Sequence, residues 1–342
     1  MKPLTRRRLL GAVPAIGLGA TALHGAIPHS HGTADAADAS PHAAHGANGT
    51  AGHAGHAGFR GGEVNHRANG FDPHEIVRDF DSGKTSRLRG GRTLREWTLT
   101  ASEKEIEVIP GVSFMAWAYN GRIPGPTLRA TEGDRLRIRF VNGGRHPHTI
   151  HFHGIHPAAM DGIDEIAPGG ETVYEFDAAP AGLQLYHCHV RPLAEHLGKG
   201  LYGTLIIDPK EPREKADELV MVMNGFDTNF DRGNEVYAAN TIGFAYSERP
   251  IQIKRNALVR VYLVNVLEYD LINSFHLHGN FFEYFPTGTS KQPSEFTDTV
   301  MLCQGQRGIL EMRFPHTGKY MFHAHQSEFT ELGWMGFFEV VD

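Results

Sequence analysis

The sequence predicts an all-β protein of two tandem β-sandwich domains behind an N-terminal tail, and three observations predict it. After Leu94 the chain breaks into short runs that alternate apolar and polar residues and are punctuated by Gly, Pro and Asn. These runs form two series, separated by the polar stretch from Pro209 to Lys215. The two series also share local motifs, which marks an internal repeat.

The first series comprises Trp97 to Thr100, Glu105 to Ile109, Leu136 to Val141, Thr172 to Phe176 and Gly203 to Ile207. The second comprises Leu219 to Val222, Val259 to Val264, Ile309 to Phe314, Tyr320 to Phe322 and Phe337 to Val341. Period two with frequent turns is the signature of half-buried strands in a sandwich. The expected domains therefore cover 91–212 and 213–342.

The N-terminal part reads differently. Arg6, Arg7 and Arg8 precede an apolar stretch too short to span a bilayer, followed by the small residues Ala20-Thr21-Ala22. This predicts an export signal over 1–26, resembling the twin-arginine type with a general secretory signal as the alternative, and delivery to the periplasm or the extracellular space. No other segment is long and apolar enough to cross a membrane, so no anchor is expected after cleavage. Residues 27–90 are expected to be a His/Gly/Ala-rich tail and linker, because from His24 to about Gly62 the chain has almost no large apolar side chain to bury. The tail histidines His29, His31, His42, His45, His53 and His56 either gather copper weakly or are incidental to a solvated linker.

With 342 residues, 40% of them hydrophobic, the chain suits two ordinary globular cores. A formal charge of −6 offers no basic stripe for phosphates, so nucleic acid is not an expected partner. Two cysteines allow one disulfide in principle, but Cys188 lies between two histidines, and that context suggests a metal thiolate. Cys303, in a strand-like run from Asp298 to Gln304, reads as a small buried core residue.

The repeat carries the chemistry. HTIHFHG (His148 to Gly154) answers NSFHLHG (Asn273 to Gly279), and LYHCH (Leu185 to His189) answers MFHAH (Met321 to His325). Two histidines at i and i+2 of a strand emerge on one face, roughly 6 to 7 Å apart at their Cα atoms, and can grip neighbouring metals. Four such pairs occur: His151 with His153, His187 with His189, His276 with His278, and His323 with His325. Eight imidazoles suit copper, which tops the affinity order among the metals that imidazole favours, zinc, iron and nickel included. Cys188 points away from His187 and His189 by the same alternation, toward a separate metal. His148 falls on the face opposite His151, and His196 lies eight residues after Cys188; together they make a His₂Cys set of the blue-copper kind.

The stretches HTIHFHG, YHCHVRPLAEHLGKGLYG, HLHG and HAH resemble the copper motifs of the multicopper oxidases in their two-domain form, over roughly Leu94 to Asp342. The resemblance implies that each domain is a cupredoxin, a Greek-key β-sandwich. It implies type 1 copper on His148, Cys188 and His196, type 2 copper on His151 and His276, and a binuclear type 3 site on His153, His187, His189, His278, His323 and His325. That makes four coppers per functional unit. Leu201 stands at the axial position of the type 1 site, where many relatives have Met, and should raise its potential. Domain 2 has Asn273, Ala324, Phe329 and Trp334 in the corresponding places and is expected to hold no type 1 copper. Asp161 resembles an acidic residue near the cluster in related enzymes, and Glu328 is the second candidate to deliver protons. The implied reaction couples oxidation of a small phenolic, aromatic or metal-ion donor to reduction of dioxygen to water, in a laccase-like manner. A homotrimer with clusters shared between subunits is implied as well. Copper nitrite reductases share part of the pattern, and a copper-storage or electron-shuttle protein is the alternative of another class.

Overall fold

A computed structural model of the protein describes residues 63–342. The export signal expected over 1–26 and the tail histidines lie outside the described residues. Among the described residues no helix is long and apolar enough to cross a membrane.

Domain 1 is built from two sheets. One runs in the order Phe80–Asp81, Thr127–Thr131, Tyr202–Asp208, Gly182–His187, His151–Phe152; the other runs Lys84–Arg87, Thr93–Ile109, Arg135–Asn142, Glu171–Asp177, with Val112–Tyr119 added on Thr93–Ile109. The runs expected at Trp97 and Glu105 are one strand of 17 residues. Its first half pairs in parallel with Arg135–Asn142 and its second half, from Ala101, pairs antiparallel with Val112–Tyr119, with a register shift between Glu107 and Ile109. The core between the sheets holds Trp97, Leu99, Ile138 and Phe140 from one and Leu128, Tyr186 and Leu205 from the other.

Domain 2 repeats the design. A six-stranded sheet contains Asp217–Phe226, Val259–Asn265 and Arg307–Met312; a five-stranded sheet runs Ile251–Lys254, Met335–Val341, Gly318–His323, Ile272–Leu277, Thr299–Cys303. Leu219, Met221 and Met223 face the core of domain 2, while the alternate Val220 and Val222 pack on Leu183, Leu185, Tyr202 and Ile206 of domain 1. Strands buried on both faces explain the nearly unbroken apolar run at Leu219 to Met223.

Two expectations are corrected. Residues 63–90, expected as linker, are folded: Asn65 caps His66–Asn69, Asp72 caps Pro73–Ile76, and Val64, Phe71, Ile76 and Val77 are buried. Phe80–Asp81 then joins the first sheet beside Thr127–Thr131. The low-apolar composition ends at about Gly62, and beyond it these four apolar side chains anchor the segment. Cys303 is exposed. It lies on the edge strand Thr299–Cys303, where alternation turns Val300 and Leu302 inward and Met301 and Cys303 outward, so the strand was legible and its register was not.

Candidate metal centres

His148, Cys188 and His196 converge at one end of the domain 1 sandwich. Cys188 follows the strand Gly182–His187, His196 lies in the helix Leu193–Gly198, and His148 is fixed by a bridge to Ile166. The Cys188 Sγ is 3.2 Å from His196 Nδ1 and 4.0 Å from His148 Nδ1, and the two nitrogens are 3.3 Å apart. All three side chains are at most 3% exposed. Burial, foremost, lowers both imidazoles to about 4, which keeps their lone pairs free at neutral pH; burial raises the Cys188 thiol. Asn142 braces the loop by donating to the carbonyls of His146 and Ile166 at 2.8 and 2.7 Å. Leu201 is fully buried, and its carbonyl accepts from the Cys188 N–H at 2.9 Å. Trp117 sets its ring edge-on to His148 and His196, with centroids 5.2 and 4.8 Å away, and stacks on the exposed His146. Two imidazoles and a thiol, with no carboxylate among them, fit a thiophilic ion such as copper.

The paired histidines gather on the opposite side of the same strand. His151 and His187 stand in register on neighbouring strands, as do His276 and His323 in domain 2. His153 Nε2 approaches His187 Nε2 at 3.2 Å, and His278 Nε2 approaches His323 Nε2 at 2.9 Å. His189 and His325 complete the two sets, 5.4 and 5.2 Å between ring centroids from His151 and His276. Burial lowers His153 to about 3 and His187 to about 4, and it lowers His323 too. The described residues bring His151, His153 and His187 together, and His276, His278 and His323 together, as separate groups. The domain 1 group is flanked by Ile155 and Ile163, 70% and 69% exposed. The domain 2 group opens beside Phe281 and Phe296, an exposed ring pair 5.3 Å apart.

The Asp161 carbonyl and carboxylate lie 3.0 and 3.1 Å from His151 Nδ1, and the imidazole N–H donates to this residue. Gly162 makes the approach possible, because a Cβ there, at φ 73°, would sit 2.0 Å from the Ile150 carbonyl oxygen. Glu328 is exposed in the short helix Ser327–Glu331, and among the described residues no hydrogen bond joins its carboxylate to the histidines. Asp298, not singled out in the sequence, is the counterpart of Asp161: its carbonyl is 3.0 Å and its carboxylate 3.9 Å from His276 Nδ1, with Thr299 Oγ1 at 2.8 Å. Arg307 of domain 2 was likewise missed. Its guanidinium donates to the Leu183 carbonyl and to Gln184 Oε1, both at 2.7 Å, and its Nη1 lies 3.4 Å from His153 Nδ1. No spacing signal points to either residue, because Asp298 reaches His276 from the end of the neighbouring strand and Arg307 reaches His153 from the other domain.

Domain 2 retains the frame of the buried Cys–His₂ site without its donors. Ala324 N–H donates to the Trp334 carbonyl as Cys188 does to Leu201, and Trp334 N–H donates to Phe329 as Leu201 does to His196. Phe329 stacks on Tyr237 at 4.0 Å, and the Trp334 indole N–H donates to the Ser274 carbonyl. Asn273 is fully buried with its Nδ2 unpaired.

The family model described as multicopper oxidase matches residues 100–212, and a second model of that description matches 213–342. A crystal structure of a multicopper oxidase is 59% identical, with a TM-score of 0.80, and the match covers 82% of this chain and 100% of that one. The copper-containing nitrite reductase of Neisseria meningitidis is 27% identical over 65% of this chain and 63% of its own length, so this chain spans somewhat under two thirds of that relative. The multicopper oxidase MmcO of Mycobacterium tuberculosis is 32% identical over 42% of this chain and 29% of its own length.

Proposed function

Because the chain belongs to the multicopper oxidase family, we propose that it is an exported, laccase-like oxidase that takes single electrons from a small donor and passes four of them to dioxygen. The observation that carries this reading is the double role of Cys188. Its sulfur belongs to the buried His148–His196 centre, while its chain neighbours His187 and His189 belong to the paired-histidine half on the other side of the strand. The path between the two centres is therefore covalent and a few bonds long.

Copper in these centres supplies one-electron transfer and the reduction of dioxygen to two waters, balanced by four donor electrons and four protons. The residues supply the rest. His148, Cys188 and His196 are the type 1 ligands, and Leu201, which offers no donor atom, leaves the oxidised ion less stabilised and the potential high. His151 and His276 are assigned to type 2 copper, and His153, His187, His189, His278, His323 and His325 to the type 3 pair. Asp161 orients His151 and accepts its N–H, which supports a role for its carboxylate in supplying protons; Glu328 is the second acid proposed for that supply.

Each chain holds two half-sets of four histidines, so a complete set requires domain 1 of one subunit to meet domain 2 of the next. The exposed apolar residues beside each half support such a head-to-tail interface, and closure by rotation gives the trimer we propose. Export by the twin-arginine route is part of the same reading.

Copper analysis with oxygen uptake tests it. Four coppers per chain in a trimer, with oxygen consumed and water formed from a phenolic donor, are expected. The resemblance to nitrite reductases favours a second reading, in which nitrite is the acceptor. One cluster copper for each type 1 copper, and nitric oxide formed from nitrite, would establish that reading instead. A copper-loaded protein that consumes neither acceptor would mark a shuttle or storage protein.

A further inference from the structure

A cleft of about 450 Å³ lies beside the helix that carries His196, lined by Phe114, Glu195, Lys199, Phe230, Arg232 and Tyr269. Its volume suits a single-ring molecule. We propose that it is a donor site for aromatic molecules bearing an anionic oxygen, received by Lys199; the donor role rests on the oxidase reading, whereas the binding does not. Lys199 Nζ stands 4.6, 5.3 and 5.8 Å from the ring centroids of Phe230, Phe114 and Trp117, and its nearest acceptor is the Met115 carbonyl at 3.5 Å. Among the described residues no carboxylate forms an ion pair with Lys199 or Arg232. The Asp227 carboxylate, near the same cleft, is already engaged by the backbone N–H groups of Asp231 and Arg232 at 3.1 and 3.0 Å.

A half-buried cation among aromatic rings, which feels Glu195 and Asp227 but has neither in ion-pair contact, is costly to hold and ready to take an anion. The loop opposite presents the ring: Phe230 is 66% exposed at φ 64°, a conformation uncommon for a bulky residue. A molecule bound between Phe230 and Tyr269 with its anionic oxygen on Lys199 lies one indole, Trp117, from His148 and His196. Glu195, exposed at the rim and, among the described residues, with no hydrogen bond to its carboxylate, opposes the anion and limits the preference.

Calorimetric titration of the copper-loaded protein with 4-methoxybenzoate and its neutral isostere 4-methoxybenzamide tests the site without turnover. The carboxylate is expected to bind about five- to tenfold more tightly. Lys199→Met should abolish that preference, Lys199→Arg should keep it, and Glu195→Gln should widen it about two- to threefold. Equal affinities in the wild type, or an unchanged preference in folded Lys199→Met, would overturn the proposal. In steady state, KM for 3,4-dihydroxybenzoate should rise in Lys199→Met while KM for catechol stays the same. Absence of oxygen uptake with every donor, alongside an intact benzoate preference, would count against the oxidase reading and leave the binding site standing.

Discussion

Replacing Arg307 by methionine separates the two domains energetically at the point where one touches the other's histidines. The guanidinium makes two 2.7 Å hydrogen bonds, to the Leu183 carbonyl and to Gln184 Oε1, and Gln184 is 1% exposed. Each charge-assisted bond contributes about 1.5–3 kcal/mol. Methionine fills part of the volume and removes the desolvation of a buried cation, a cost visible in the lowering of the Arg307 pKa by burial. The net loss expected is about 2–4 kcal/mol. Arg307→Lys, which keeps one bond at most, should lose about half as much. Arg313→Met is the control, since Arg313 pairs with Glu214 on an exposed surface and should cost about 0–1 kcal/mol. Urea unfolding of the copper-free protein measures all three. If Arg307→Met falls within about 0.5 kcal/mol of Arg313→Met, the network does not hold the domains and the argument fails. Because Nη1 also lies beside His153, copper lost in Arg307→Met should come from the paired-histidine sites, leaving the blue absorption of the Cys188 centre intact.

Three other outcomes follow from the same geometry. Leu201→Met, at a fully buried and nearly volume-conserving position, should lower the potential of the Cys188 centre at a stability cost below about 1.5 kcal/mol; a redox titration showing no fall would remove the axial argument. Asp161→Asn should weaken copper binding at His151 about tenfold or more, whereas Asp298→Asn should do less, because Thr299 Oγ1 already holds His276 at 2.8 Å; metal dialysis of both variants compares them. Burial pushes the Glu268 carboxyl up from 4.5 to about 7, so the folded chain holds a proton that the unfolded chain has released. Stability therefore declines as pH rises across that window. Glu268→Gln should gain about 1–2 kcal/mol at pH 8, after discounting for partial exposure, and nothing at pH 4, which denaturant curves at the two pH values would reveal.

The paired histidines were legible because strand alternation makes spacing a statement about faces: His151, His153, His187 and His189 gather on one side and Cys188 on the other. The correspondence between the two repeats was legible by comparison, and the backbone bonds of Ala324 and Trp334 match those of Cys188 and Leu201. Arg307 and Asp298 escaped because they reach their histidines through tertiary contacts that no local period encodes. Cys303 escaped for a smaller reason: a strand's location was clear, but a one-residue choice of face decides which side chains meet water. Residues 63–90 were grouped with the tail whose composition ends at about Gly62, whereas Val64, Phe71, Ile76 and Val77 anchor them in the cores.

The duplicated backbone frame around Cys188 and Ala324 has a consequence for electron-transfer speed. In domain 2 the same loop geometry stands with phenylalanine and tryptophan in place of donors, so the scaffold adopts this shape without any metal–ligand bond to impose it. A scaffold that sets its own shape leaves ligands little freedom to rearrange when the charge of a bound ion changes. The nuclear motion accompanying each electron is then small, and the barrier to exchange falls with it. Rigidity inherited from the fold, shared by a domain whose matching positions carry no donors, would become a kinetic property of the proposed centre on His148, Cys188 and His196.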